Sequence, residues 1–483
     1  MADATVWAHK GTFLLAAVGS AVGLGNLWRF PYLAGENGGG AFILVYAMTI
    51  AAVGLPILIA ETLLGRASRK SPIMGMVSLI KENNSHRAWS IIGWLGAIAA
   101  FIILSFYSVI AGWAFHYVGL MFSGRLTGAS VEQVGGSFNQ LLAQPGLLII
   151  YHSLFIAVSA LIVGLGVHRG IEKGLRFIMP ALFFILLLVL GYAIVEGDIG
   201  ASLAFMFTFN LEDLSLAGWL EAMGQSFFTL SLGAGAIMAY GAYMSSEASL
   251  SKTAVWVAIV DTLVAVLAGI AIFALVFGSG LEAGQGPGLM FVTLPLAFAE
   301  LPGGAMLGGI FFILVIGAAV TSAISLLEPF VAYLIDRFHM SRPTSVLMVT
   351  SATWCLGLLT VFSFNIWQAD SFTHQLFGKS PFDILELLTN IMMPLGGALI
   401  ALYVGWSLRA ALIQKEMNTE PAWLGLWQFL IRFIAPTAVL FVFVRTLLPQ
   451  LEGYTSPLII SLIIVLGFAY AQTKHSHSQS SMD

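Results

Sequence analysis

Apolar runs of roughly 20 residues, each long enough to cross the ~30 Å hydrocarbon core of a bilayer as a helix, follow one another along the whole chain with short polar connections between them. The pattern predicts twelve spans, near residues 11–34, 40–64, 89–122, 146–166, 175–195, 216–243, 253–279, 305–336, 345–363, 382–408, 426–448 and 456–471. The last run is short, which leaves eleven spans as the alternative.

Two of these runs are broken at their midpoints. In GTFLLAAVGSAVGLGNLWRFPYLAGENGGG, residues 11–40, Gly19, Gly23 and Gly25 interrupt the run beside Ser20 and Asn26, and Arg29, Pro31 and Glu36 follow. In QSFFTLSLGAGAIMAYGAY, residues 225–243, the interruption is made by Thr229, Ser231, Gly233 and Gly235. Glycine is a poor helix-interior residue, and unwound backbone at membrane depth is tolerated only inside protein or along a cavity. Freed carbonyls and half-helix ends then serve as ligands for cations and carboxylates. A packing face of small residues is the blander reading, but Asn26, Arg29 and Pro31 in the same segment favour a binding site. The breaks fall in spans 1 and 6, the trace of an inverted repeat with its site at the midplane. The expected division is a cytoplasmic segment 1–10, a first repeat 11–195, a second repeat 216–408, peripheral helices in 426–471 and a disordered polar tail 472–483.

Composition agrees with this picture. Charged residues make up 9% of the chain, against about 25% in soluble domains, so the expectation is an all-α integral membrane protein. A net charge of −4 without a basic stripe gives no reason to expect a nucleic-acid partner. Lysine and arginine gather in the connections that a cytoplasmic N-terminus would place inside, among them Arg66, Arg69, Lys70, Arg169, Lys173, Arg337 and Arg342. The bias predicts a multi-pass protein of the cell inner (plasma) membrane with both termini cytoplasmic. Span 1 is too polar at its centre to be a signal peptide. The single cysteine, Cys355, rules out an internal disulfide framework and is expected to be inert core. His9, His86, His168 and His475 are expected mostly in loops and lack ligand spacing, and His116 reads as an interior histidine. No nucleophile–base set or paired catalytic carboxylates appear, so no enzyme is expected.

GSAVGLGNLWRFPYLAGENGGGAF at 19–42, SFFTLSLGAGA at 226–236 and GAAVTSAISLLEP at 317–329 resemble the neurotransmitter:sodium symporter family, in particular its bacterial LeuT-type amino-acid transporters. The resemblance covers nearly the whole chain. It implies the LeuT fold, a 5+5 inverted repeat with broken helices 1 and 6 and about twelve transmembrane helices. It also implies sodium (Na+) as the coupled ion.

By that resemblance a second sodium site is made by Gly19, Val22, Ala318, Thr321 and Ser322, and a first by Ala21, Asn26, Thr229 and a residue of helix 7. Family members commonly carry asparagine there; this chain has Asp261. A lone carboxylate in an apolar span is functional by default. Animal relatives place chloride near a serine four residues further along, where this chain has Ala265. The expectation is chloride-independent coupling, with a proton on Asp261 as a counter-transport step.

Amine-transporting relatives carry an aspartate where this chain has Gly23, so the substrate must bring its own carboxylate. That carboxylate is expected on the Gly25 amide, the first sodium and the Tyr107 hydroxyl. Its ammonium is expected on carbonyls of Ala21 and Phe228 and hydroxyls of Thr229 and Ser231. Ile103, Phe228, Ser231, Ala234, Ser322 and Leu326 would line the side-chain pocket. They carry no charge, which disfavours charged substrates. Ala234 stands where the leucine-binding relative has phenylalanine, leaving room for an aromatic or large aliphatic amino acid.

Arg29 and Glu386 resemble the outer ion-pair gate, with Phe228 as a lid and Gln225 as a bridge to Arg29. Trp7, Tyr243 and Asp336 match the inner gate, but the arginine that normally partners Asp336 is replaced by Ala4, with Lys10 or Arg337 as substitutes. Glu61 and Glu328 read either as a structural pair sharing a proton or as ion ligands. Gly170 and Pro180 match the spacing of relatives whose helix 5 unwinds at its cytoplasmic end. Alternating access would rock helices 1, 2, 6 and 7 against the rest. A rival reading is a transporter-like sensor that binds without coupled flux. The partners expected are an amino-acid substrate, sodium ions and the lipid bilayer; the oligomeric state stays open.

Overall fold

A computed structural model describes residue 7 and residues 11–282, 288–368, 372–448 and 455–480, the side chains of 446, 447, 455 and 472–480 excepted. The chain forms a bundle of helices. α1 consists of two halves, Thr12–Ala21 and Gly25–Glu36, bent by 53°. It is followed by α2 (Gly40–Ser68), α3 (Arg87–Phe122), α4 (Pro145–Gly164) and α5 (Val167–Glu196). α6 is again divided, into Leu216–Thr229 and Ala236–Ala242. Then come α7 (Leu250–Gly278), α8 (Gly304–Phe338), α9 (Arg342–Ser363), α10 (Pro381–Ser407) and α11 (Pro421–Arg445), and α12 (Thr455–Ser480).

Among the described residues nine helices are individually long and apolar enough to cross a membrane, and the bent α1 pair makes a tenth. The divided α6 is not among them, and the apolar part of α12, Ser456–Ala471, is shorter than the others. The helix starts are written in the sequence. Ser215, Ser249, Ser341 and Ser380 each accept a backbone N–H from the first turn of α6, α7, α9 and α10, which satisfies donors a helix leaves unpaired. At α10, Asp383 completes a reciprocal capping box with Ser380.

The halves of α1 pack against α7, α8 and α5, and those of α6 against α2 and α8, while α4, α9 and α12 lie further out. On α5, Phe177 is 78% and Val195 76% exposed; such rings and aliphatic side chains on an outer face are lipid-facing in a membrane protein. The same position corrects the expectation for Cys355, which is exposed on α9 instead of packed in the core. α12 also departs from expectation. Its helix continues through Ser480, into the segment expected to be disordered, because that segment contains neither glycine nor proline to stop it.

Candidate functional site

The two breaks meet. In α1 the helix ends at Ala21, Val22 is extended with ψ 107°, and the second half starts at Gly25. In α6 the break carries positive φ at Ser231 (53°), Gly233 (74°) and Gly235 (69°). A Cβ on Gly233 would also lie 2.2 Å from the Met393 carbonyl oxygen of α10, so conformation and close approach both require glycine there. The Gly233 N–H donates to Glu61 Oε2 at 3.0 Å, and the Ser231 hydroxyl donates to the Ser20 carbonyl at 3.0 Å. The first bond braces the α6 break from α2; the second ties the two breaks together.

Between them lies a cavity of about 40 Å³, room for a few water molecules. All the substrate positions expected from the sequence border it: Ala21, Gly25, Ile103, Tyr107, Phe228, Thr229, Ser231, Ala234, Ser322 and Leu326. Met393 borders it as well, a residue that sequence reading missed because a methionine in an apolar run carries no polar signal. The Tyr107 hydroxyl is buried and makes no hydrogen bond of good geometry, although the Leu24 backbone and the Ser322 hydroxyl are its polar neighbours. A Cβ on Gly23 would lie 2.8 Å from Ser322 Oγ and 3.2 Å from the Tyr107 hydroxyl, so no aspartate fits there without displacing both.

Beside the cavity Asp261 is fully buried. Its Oδ1 accepts from Asn26 Nδ2 at 2.7 Å, and Thr229 Oγ1 donates toward both carboxylate oxygens at 3.0 and 2.9 Å. Tyr46 from α2 reaches Oδ2 at 3.5 Å, a contact not anticipated from the sequence. No lysine, arginine or histidine pairs with it among the described residues. A buried carboxylate supplied only with neutral donors calls for a cation or a proton.

On the other side of the α1 break, the Ser322 hydroxyl lies 3.4 Å from the carbonyl oxygens of both Gly19 and Val22 and 3.2 Å from that of Ser20. Thr321 Oγ1 donates to the Ala318 carbonyl at 2.9 Å. The five expected second-site positions are therefore neighbours, and they supply only neutral oxygens, the donor set suited to a hard monovalent cation.

The family model described as sodium:neurotransmitter symporter family matches residues 4–134 and 131–469. The chain belongs to the sodium:neurotransmitter symporter family. It is 34% identical, over 91% of its length and 97% of the relative's, to an uncharacterized sodium-dependent transporter of Bacillus subtilis. It is 25% identical to the sodium-dependent dopamine transporter of Bos taurus, over 98% of this chain and 73% of the relative. Among solved structures, MhsT in complex with L-phenylalanine matches with a TM-score of 0.83 at 39% identity, covering 92% of this chain and 99% of that one. The fold is thus the LeuT fold, and the protein is a multi-pass membrane transporter, not an enzyme.

The residues expected to form the gates are arranged differently from expectation in several places. At the outer end the Arg29 guanidinium lies over the Phe228 ring, 5.3 Å from its centroid, a cation–π contact. The charges of Glu386 and Glu221 both act on Arg29, without a direct ion pair to either among the described residues. Gln225 does not bridge to Arg29; its amide nitrogen donates to the Gly25 carbonyl at 3.4 Å, because Phe228 occupies the space beneath the guanidinium.

At the inner end the Trp7 backbone N–H donates to the Tyr243 carbonyl at 2.9 Å, and its indole stands edge-on to Tyr240 and Tyr243. Asp336 accepts the Ser71 N–H at 2.7 Å, at the start of the short helix Pro72–Asn83, instead of joining Tyr243. Tyr243 donates instead to Glu328 Oε1 at 2.6 Å. Glu328 is bound by both ends of Arg342, at 3.0 and 2.5 Å. Glu61 and Glu328 therefore do not form the pair considered from the sequence: each has its own separate partner. Ala4 and Lys10 lie outside the described residues, and the Arg337 guanidinium sits over Phe338. Gly170 lies in a wide π-turn, Val167–Glu172, at the start of α5, where its Cβ would meet the Ile162 carbonyl at 1.9 Å. Pro180 is inside the helix that follows, so α5 is wound between the two.

Two histidines are helix ties. His116 pairs with the Tyr151 hydroxyl at 3.3 Å. His152, not singled out from the sequence, has Ser108 at 3.1 Å and the Trp354 carbonyl at 3.2 Å.

Proposed function

We propose that this protein is a sodium-coupled symporter of neutral hydrophobic or aromatic α-amino acids, working by alternating access and without chloride. The observation that carries the reading is Asp261: a buried carboxylate bonded to Asn26 and Thr229, which border the cavity, and to no cationic side chain among the described residues. A sodium ion in the first site neutralises it directly, and Ala21, Asn26 and Thr229 complete the set of oxygens. The fixed negative charge takes the place of a bound anion. Gly19, Val22, Ala318, Thr321 and Ser322 hold the second sodium.

The substrate carboxylate is received by the Gly25 amide, the first sodium and the Tyr107 hydroxyl, a donor that the fold itself leaves without a good acceptor. The lack of any charge among the pocket walls selects neutral side chains. Ala234 gives width, and the bordering Phe228 and Met393 side chains rotate to admit a ring. The phenylalanine carried by the 39%-identical structural neighbour supports this substrate class. Arg29, Phe228 and Glu386 close the outer path; Trp7, Tyr243 and the Glu328–Arg342 pair close the inner one, with Asp336 and the α5 start at Gly170 and Pro180 yielding on release toward the cytoplasm.

Uptake of labelled tryptophan and leucine into proteoliposomes, with sodium and chloride varied independently, tests the reading. Sodium-dependent accumulation indifferent to chloride and favouring tryptophan is expected. Sodium-dependent binding without accumulation would replace symport by sensing, and a chloride requirement would remove Asp261 from the role given to it.

A further inference from the structure

We propose that the groove between the N-terminal ends of α7 and α11 binds a phospholipid whose zwitterionic head group ends in a primary amine, that is, phosphatidylethanolamine. The groove measures about 890 Å³ and is bordered by Ser251, Lys252, Trp256 and Ile259 of α7 and by Glu420 and Trp423 at the start of α11.

Two buried donors in its walls lack partners. Ser251 is only 6% exposed, and its hydroxyl makes no hydrogen bond; neither does the Trp423 indole nitrogen, a buried atom on a side chain that is itself partly exposed. Buried polar atoms without partners are uncommon and costly, and two lining one groove point to a ligand with several acceptor oxygens. A phosphodiester has them. It would also meet the Lys252 ammonium and the positive end of α7, whose own cap, Ser249, already faces the Lys252 N–H at 3.4 Å.

The one acidic group on the groove, Glu420, disfavours a purely anionic ligand but pairs with an ammonium a few ångströms from a phosphate. A primary ammonium gives that carboxylate hydrogen bonds, which a quaternary one cannot. The choice of a lipid over a free phosphate compound rests on the surface leading away from the groove. Trp256, Ile259 and Leu263 are each about half exposed on α7, and their i, i+3, i+7 spacing makes one apolar stripe along which acyl chains run. Tryptophans at the mouth fit the interfacial depth of a head group.

The groove is also held in shape. Arg66 of α2 donates to the Ala248 carbonyl beside α7 at 2.6 Å and to Glu416, ahead of α11, at 2.7 Å through Nε. It bonds the Glu416 carbonyl as well, so one guanidinium fixes both walls.

Native mass spectrometry of the full-length, delipidated protein titrated with phosphatidylethanolamine, phosphatidylcholine or phosphatidylglycerol tests the assignment. Phosphatidylethanolamine should be retained several-fold more than either other lipid. Trp423→Phe, which keeps the ring and loses only the N–H, and Ser251→Ala should each lower retention of all three lipids several-fold, because the phosphodiester they meet is common to the three, while leaving the thermal unfolding midpoint unchanged. Glu420→Gln should lower retention of phosphatidylethanolamine to that of phosphatidylcholine. Equal retention of the three lipids, or retention of phosphatidylethanolamine untouched in Trp423→Phe and Ser251→Ala, overturns the proposal. Displacement of the lipid by equimolar soluble phosphoethanolamine overturns the lipid as the source of the ligand.

Discussion

The hydroxyl of Thr229, in the α6 break, lies 3.0 and 2.9 Å from the two carboxylate oxygens of Asp261 on α7. Asn26, from the α1 break, reaches the same carboxylate at 2.7 Å. A charge on α7 is thereby joined to both interrupted helices, so whatever neutralises Asp261 also fixes the geometry of the two breaks around the cavity. On the proposed reading, coupling of ion and substrate would follow from that junction, because an ion there would stabilise the backbone proposed to receive the amino acid.

Substituting Asp261→Asn keeps the shape and removes the charge. Sodium affinity for uptake is expected to fall about tenfold or more, the equivalent of ~1.4 kcal/mol or greater, and external chloride should partly restore it. Sodium titrations of tryptophan uptake in chloride and in gluconate measure both effects. Identical curves for the variant and the parent protein would show that the carboxylate does not hold the ion.

Tyr107→Phe separates binding from folding. The hydroxyl makes no good hydrogen bond in the fold, so its removal should leave stability unchanged or slightly raised. Loss of a donor to a substrate carboxylate costs about 1.5–3 kcal/mol for a charged acceptor, which predicts a 10- to 100-fold loss of substrate affinity. Scintillation-proximity binding beside a thermal melt of the same sample reads the two quantities. A destabilised variant with unchanged affinity would make Tyr107 a structural residue.

Much of this site is legible in the sequence because its signals are polar or glycine residues where a membrane helix should have neither. Gly19, Gly23, Gly25, Asn26, Ser231 and Asp261 all announce themselves in this way, and the structure gathers them. Less is legible where hydrophobicity must distinguish one helix face from another. In lipid both faces of an outer helix are apolar, so the run around Cys355 marks membrane depth and not burial, and Met393 looks like any other apolar residue of α10. The pairing of Arg342 is illegible for a different reason: it begins a helix after a short loop and reads as one more cytoplasmic charge, whereas its guanidinium turns back to Glu328. Pairing of that kind depends on how α8 and α9 pack, which no local pattern encodes.

Ala234→Phe tests the width of the pocket. The added ring would fill space at the cavity wall formed by the α6 break, and a shape mismatch of a few methylenes in an apolar pocket is worth about 1–3 kcal/mol. Tryptophan affinity is expected to fall 10- to 200-fold while leucine affinity changes much less. Competition of both amino acids against a common labelled substrate measures the ratio. Parallel loss of both would mean that the ring perturbs the break itself and does not act on selectivity.

Glu328 is wholly buried and the Arg342 side chain is 16% exposed, and the pair is completed by the Tyr243 hydroxyl beside Trp7. Arg342→Met leaves a carboxylate stranded inside the protein, a change that costs about 3–5 kcal/mol when a buried pair loses one partner. Glu328→Gln leaves the guanidinium without its counter-ion but keeps a neutral acceptor for it and for Tyr243, so it should cost less. The double variant Glu328→Gln with Arg342→Met carries no buried charge and is expected to recover most of the stability lost in Arg342→Met, a coupling of 0.5–3 kcal/mol or so in a double-mutant cycle. Thermal melts of the four proteins in one detergent give the cycle. Because the pair stands under the inner aromatic plug, Arg342→Met should also raise the reactivity of a cysteine placed at Ala234 toward an impermeant thiol reagent applied from the cytoplasmic side, in a background with Cys355 replaced. Stability loss without that rise would confine the pair to holding α8 against α9, with no part in closing the inner path.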